Sequence, residues 1–165
     1  MSEIKNKKKK SSIIQISIGV LAVILAILII IMMGIVSDIQ GTARIVNYTG
    51  LVRGETQRLI KLELSTQQEN EMIHEIRTFI DGLRNGNDEL NLVRLDDVDF
   101  QNKMQELDDK FSDLYKKIHL VRFKGAKNTD IIPESEEFFV ICDEATGLAE
   151  KYSQKKATSL SLLEK

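Results

Sequence analysis

Polar and apolar positions along this chain follow two patterns. From Ile13 to Val36 only Gln15, Ser17 and two glycines interrupt an apolar run. At 1.5 Å per residue, 24 positions reach about 36 Å, enough to cross a bilayer with some tilt. A cleaved secretory signal has a shorter apolar core and a small-x-small cleavage site, and no such site follows Met32-Met33-Gly34. The run therefore reads as an uncleaved transmembrane helix. Beyond it, apolar residues recur at intervals of three and four, the period of helices, without the alternation of strands.

The helical part divides into four stretches. The first, Asp38 to about Leu64, follows the apolar run with no helix breaker between them. It carries two seams. One is Ile39, Ala43, Val46, Gly50, Arg53, Gln57, Ile60 and Leu64; the other is Ile45, Tyr48, Val52, Glu55, Leu59 and Leu62. A helix apolar on two faces must pack on two sides, which predicts one face toward its own bundle and one toward a second protomer. Tyr48, Val52, Leu59 and Leu62 are the expected dimer stripe.

The second stretch, about Gln67 to Arg84, repeats Met72, Ile73, Ile76, Phe79, Ile80 and Leu83 and stops at Asn85-Gly86-Asn87. After a loop of about a dozen residues, Asp97 or Asp99 can cap a third helix, whose seam is Phe100, Met104, Leu107, Phe111, Leu114, Ile118 and Val121. A break from Lys124 to Asp130 leads to Pro133, suited to a first helical turn, and a last helix with Phe138, Cys142, Ala145, Ala149 and Tyr152 on one seam runs to Lys165. The expected fold is all-α: an N-terminal transmembrane helix continuing into an antiparallel, up-down-up-down four-helix bundle. The domains are a basic tail (1–12), a membrane span (13–36) and an exterior domain (37–165). The last helix heads back toward the membrane, which predicts that the chain is truncated before a second span.

Charge sets the orientation. Lys5, Lys7, Lys8, Lys9 and Lys10 precede the span against a lone Glu3, and the positive-inside rule holds such a cluster in the cytoplasm, placing residues 37–165 outside the plasma membrane. Removing those five lysines and Glu3 from the chain's 23 basic and 25 acidic residues leaves 18 and 24, a formal charge of −6. This is the wrong footprint for nucleic acid, and the lysines fit contact with anionic lipid instead. Cys142 is the single cysteine, so no internal disulfide forms and it reads as a small core residue.

Catalytic chemistry has no constellation here. His74 and His119 lie far apart without a second ligand at metal spacing. Asp96-Asp97 and Asp108-Asp109 read as a cap and a solvated face, and the sequon Asn47-Tyr48-Thr49 falls inside a helix. The chain is expected to be no enzyme and to need no cofactor. One anomaly stands out in the first helix. Gly50 and Gly54 each cost roughly 1 kcal/mol relative to Ala in a helix interior, which implies a close backbone approach. Beside them Arg53 and Gln57 sit on a seam, where a guanidinium needs a carboxylate, carbonyl groups or an anion. The partners open to it are Glu55 of a neighbouring chain, an acidic residue on another helix, or a small anionic ligand.

The run from Ala43 to Arg58, ARIVNYTGLVRGETQR, resembles the signature that opens the extracytoplasmic four-helix sensor of bacterial nitrate/nitrite-responsive kinases and pilus-type chemotaxis transducers. Val46-Asn47 stands for Ile-Asn, Thr49 for Ala, Gly50 for Gly, Arg53 for the first Arg, Thr56 for Ser and Arg58 for the last Arg; Gly54 replaces a Met and Glu55 adds a negative charge. More loosely, Gly41 to Leu64 and Ala149 to Ser153 look like the sensor regions of clostridial-type diguanylate cyclases, EAL phosphodiesterases and hybrid histidine kinases. The resemblance implies a sensory input region acting as a homodimer, with Asn47, Gly50, Arg53, Gln57 and Arg58 as ligand-binding residues and Arg53 holding an anion. It also implies a cytoplasmic output module beyond this chain. The alternative from another class is a membrane-anchored helical scaffold that binds no small molecule.

Overall fold

The computed structural model describes residues 2–128 and 130–163, with side chains described from Ile14 onward except at Asp38, Asn128, Lys156, Ala157 and residues 159–163. The tail lysines' side chains and the expected run of the last helix to Lys165 lie outside the described residues. The chain is all-α. Its helices are α1 (Ser2–Leu64), α2 (Asn70–Asn85), α3 (Val98–Lys124) and α4 (Ile132–Leu163), with a short 3-10 turn at Ala126–Asn128. They belong to two units, Met1–Ile39 and Gln40–Lys165.

In the first unit every large apolar side chain from Ile14 to Met33 is 48% to 68% exposed. Among the described residues this is one helix long and apolar enough to cross a membrane. Such an exposed apolar surface suits a bilayer as its solvent.

The second unit is a bundle whose helices run alternately up and down. Lys103–Glu144, Lys110–Glu137 and Lys117–Glu134 pair along α3 and α4 with numbers rising on one helix and falling on the other. Tyr48 meets Phe79 edge to face at 5.1 Å, joining α1 to α2, and Arg84 pairs with Asp108 to join α2 to α3. Asp108 is therefore a cross-helix partner as well as a surface carboxylate.

Local chemistry fixes the helix ends. The Asp97 carboxylate accepts from Phe100 N–H at 3.0 Å and caps α3. Gly86 and Gly125, both at φ +85°, end α2 and α3 in a backbone conformation that residues with a Cβ avoid. The loop between α2 and α3 folds back through paired hydrogen bonds of 2.9 and 2.8 Å between Asn87 and Leu92, burying Leu92 and Leu95 against the bundle.

The core holds the expected seams of α2, α3 and α4. All seven α3 positions, Phe100 to Val121, are buried, as are Phe138, Cys142, Ala145 and Ala149 of α4. Burial pushes the Cys142 thiol up to about 12. On α1 the structure chooses between the two seams. Ile45, Val52 and Leu59 are buried in the chain's own bundle and Tyr48 and Leu62 pack against it, so this stripe is not the face left for a second protomer. The reason is that threonines complete it: Thr42, Thr49, Thr56 and Glu63 are buried at intervals of seven, between the apolar layers. Read as polar, these positions are missed; a threonine's methyl and short side chain let it fill a core position at modest cost when its hydroxyl is satisfied.

Candidate functional site

The α1 residues carrying the anion-binding expectation lie on the flank and back of the helix, off its core stripe. Asn47 and Gln57 are exposed, and Gly50 is partly buried. A Cβ built on Gly50 or Gly54 would meet no atom within 4 Å, so the close approach expected there is not made inside the chain. Arg58 is exposed, with its Nη1 3.6 Å from Glu55 Oε2 one turn earlier.

Arg53 finds the second of the three partners open to it, an acidic residue on another helix. Its Nη1 donates to Asp143 Oδ1 of α4, with the two side chains 42% and 49% exposed. Its Cζ stands 5.0 Å from the centroid of the Phe139 ring, a cation over an aromatic face. The guanidinium is thus held between a carboxylate and a ring at the seam of α1 and α4, open to water on one side. Asp143 and Phe139 carry no motif of their own. Their only sequence signal is their place, each one residue after a member of the buried Phe138 and Cys142 stripe, on the flank that faces α1.

A more enclosed guanidinium lies elsewhere. Arg122, near the end of α3, donates from Nε to Glu63 Oε2 at 2.8 Å and from Nη2 to Glu63 Oε1. Its Nη1 reaches Asn70 Oδ1 at 2.7 Å. Glu63 Oε1 also accepts from Glu69 N–H at 3.1 Å. The Glu63 side chain is 1% exposed and that of Arg122 13%. One carboxylate thereby joins the end of α1, the turn into α2 and the last turns of α3, and the partnership holds the Arg122 guanidinium above its ordinary value. This is a structural clasp, with both carboxylate oxygens already engaged.

Within the same stripe, Thr49 Oγ1 donates to Ile45 O at 2.8 Å, whereas Thr56 Oγ1 is buried with no hydrogen-bond partner. His74 and His119 are exposed, and among the described residues no group of His, Cys, Asp and Glu could hold a metal ion. Compared with models of protein families, with curated proteins and with solved structures, the chain matches none.

Proposed function

We propose that this chain is the extracytoplasmic input region of a bacterial membrane signal-transduction protein. In this reading it binds a small anion or a partner and relays a helix movement to a cytoplasmic diguanylate cyclase, phosphodiesterase or histidine kinase module. The observation that carries the reading is the wiring of α1: residues fit to cross a membrane are followed, without a loop, by the first helix of the bundle. Whatever shifts that helix against α2, α3 and α4 acts on the span directly, and movements of an ångström or two suffice when packing offers two arrangements. The basic tail supports a cytoplasmic N-terminus in the plasma membrane. Asn47, Gly50, Arg53, Gln57 and Arg58 are the proposed ligand contacts. The chain works as a homodimer through the outer face of α1, where Gly50 and Gly54 leave space for a second helix.

A second reading, a ligand-free membrane scaffold, is favoured by one fact: Asp143 of the same chain already neutralises Arg53. The two part in a chimera in which residues 1–165 are followed by a second membrane span and a cyclase of known output. A sensor changes cyclase output when nitrate or another small planar anion is added, and loses the change in Arg53→Ala. Output indifferent to every anion of the panel, with the protein in the membrane and dimeric, would leave the scaffold.

A further inference from the structure

We propose that the loop from Asn87 to Leu95 is a latch on α1. Val93, set against Gly41, holds the helix in one register, and α1 turns or slides past α2 only when that contact opens. The approach is close: a Cβ built on Gly41 would lie 3.0 Å from Val93 Cγ2, nearer than carbon atoms pack. Every other residue of α1 from Ile35 to Thr49 carries a Cβ, and the next glycines, Gly34 and Gly50, are about two helical turns away. No neighbouring position on α1 therefore fits beneath Val93 without displacing it.

The loop behind Val93 is fastened to α2 and α3. Gly82 of α2 is its second seat, where a Cβ would meet Asn87 Cβ and Leu92 Cδ1, each at 3.1 Å. Arg94 Nη1 donates to Arg84 O at 3.0 Å, and Gln101 Nε2 donates to Leu95 O at 2.8 Å. Leu92 and Leu95 are buried on either side of Val93, which is itself 53% exposed. The loop therefore moves with α2 and α3, and through Val93 it bears on α1.

Valine suits such a stop. Branching at Cβ restricts χ1, so Cγ2 does not swing aside freely, while the open far side of the residue leaves room for it to be pushed. Moving α1 by one residue brings Gln40 or Thr42 toward the place of Gly41, and a slip of one helical turn brings Ser37 or Ile45. Each carries a side chain where Gly41 has none. Packed helices pass between discrete arrangements, and here the passage requires Val93 to yield. The latch concerns this chain's own helices, and its test needs neither a ligand nor an output module.

The test measures the spacing of α1 and α2 in the full chain in detergent micelles, by pulsed electron paramagnetic resonance between spin labels at Arg44→Cys and Glu75→Cys. Both positions are exposed, and the buried Cys142 stays unlabelled. With Gly41 and Val93 in place the distances should form one narrow distribution. Gly41→Ala should split it or shift its mean by about 1–2 Å, the scale of a helix shift. Adding Val93→Ala should restore it, because the methyl at 41 then has room. Val93→Ala alone should broaden it by releasing α1. An unchanged distance in Gly41→Ala overturns the proposal, since the loop then yields in place of the helix. A shift that persists in the double variant overturns it too, because it belongs to position 41 alone. Should Gly41→Ala fail to fold, Val93→Ala decides the matter: a distribution as narrow as before sinks the latch.

Discussion

Arg122 reaches across the bundle to grip both carboxylate oxygens of Glu63, 59 residues earlier in the chain. The Glu63 side chain is 1% exposed and that of Arg122 13%, so the pair behaves differently from the chain's surface ion pairs. Arg122→Ala leaves a buried carboxylate without its main partner and should cost about 3–5 kcal/mol, whereas replacing both residues with apolar ones of similar volume should cost much less. Urea denaturation of the two variants checks this. A single variant that melts like the wild type would mean that the clasp is open in solution.

The opposite sign is expected at Thr56. Its hydroxyl is buried without a partner, and an apolar isostere removes that desolvation cost while keeping the shape. Thr56→Val should be neutral or stabilising by up to about 1 kcal/mol. A loss of stability in the same denaturation assay would show that the hydroxyl is satisfied in solution, by water or by a different rotamer.

Arg53 offers a bounded case. Because its pair with Asp143 is nearly half exposed, Arg53→Ala should change stability by no more than about 1 kcal/mol. Thermal melts near the wild type would leave any loss of anion response to be explained by binding, and a large drop would make the residue a structural tie.

Glycines on the outer face of α1 separate the single bundle from the dimer. Among the described residues nothing lies within 4 Å of a Cβ built on Gly50 or Gly54. In the isolated bundle Gly50→Ala should therefore raise helix stability by roughly 1 kcal/mol. If two copies meet there, the added methyl weakens their association instead. Sedimentation of the full chain in mild detergent, wild type beside variant, reads the difference; a strict monomer in both would remove this face from the dimer proposal.

The lone thiol should be silent in the folded protein. Burial pushes Cys142 up to about 12, so at pH 8 thiolate is scarce and access is closed. Above the unfolded value of about 8.5 the unfolded chain gains by ionising and the folded one does not, so this contribution lowers stability as pH rises from there toward 12. A thiol reagent at pH 8 should label the native chain far more slowly than the urea-unfolded chain. Equal rates would place Cys142 at the surface.

What could be read in advance follows from how local each signal is. Phe100 to Val121 announce α3 because every seam position is large and apolar, and the Asp97 cap and the Gly86 stop are carried by single residues within a turn of where they act. On α1 the reading divides because two stripes compete. The true one alternates Ile45, Val52 and Leu59 with Thr42, Thr49, Thr56 and Glu63, and a stripe half made of polar residues scores no better than its neighbour. Arg53 attracts notice as the charged residue on an apolar seam. The guanidinium that meets a buried carboxylate is that of Arg122, whose partner Glu63 lies on another helix, and no local pattern joins residues so far apart in sequence.

The threonine and glutamate stripe also bears on how the chain is made. No proline or glycine pair breaks the backbone between the apolar run and the bundle, and α1 is helical on both sides of that boundary. On the proposed membrane reading, the part of such a helix that enters lipid must therefore be chosen by its side chains. Leu, Ile, Phe and Val partition into the bilayer, while charged residues near the centre of a segment each cost about 2.5–3.5 kcal/mol. On the same reading, Arg44, Arg53, Glu55, Arg58 and Glu63 make the second half of α1 costly to place in lipid, and the threonines make its buried stripe less apolar. An aliphatic stripe at 42, 49 and 56 would pack a bundle equally well. It would also lengthen the apolar face presented to the membrane, and blur the point at which the span stops.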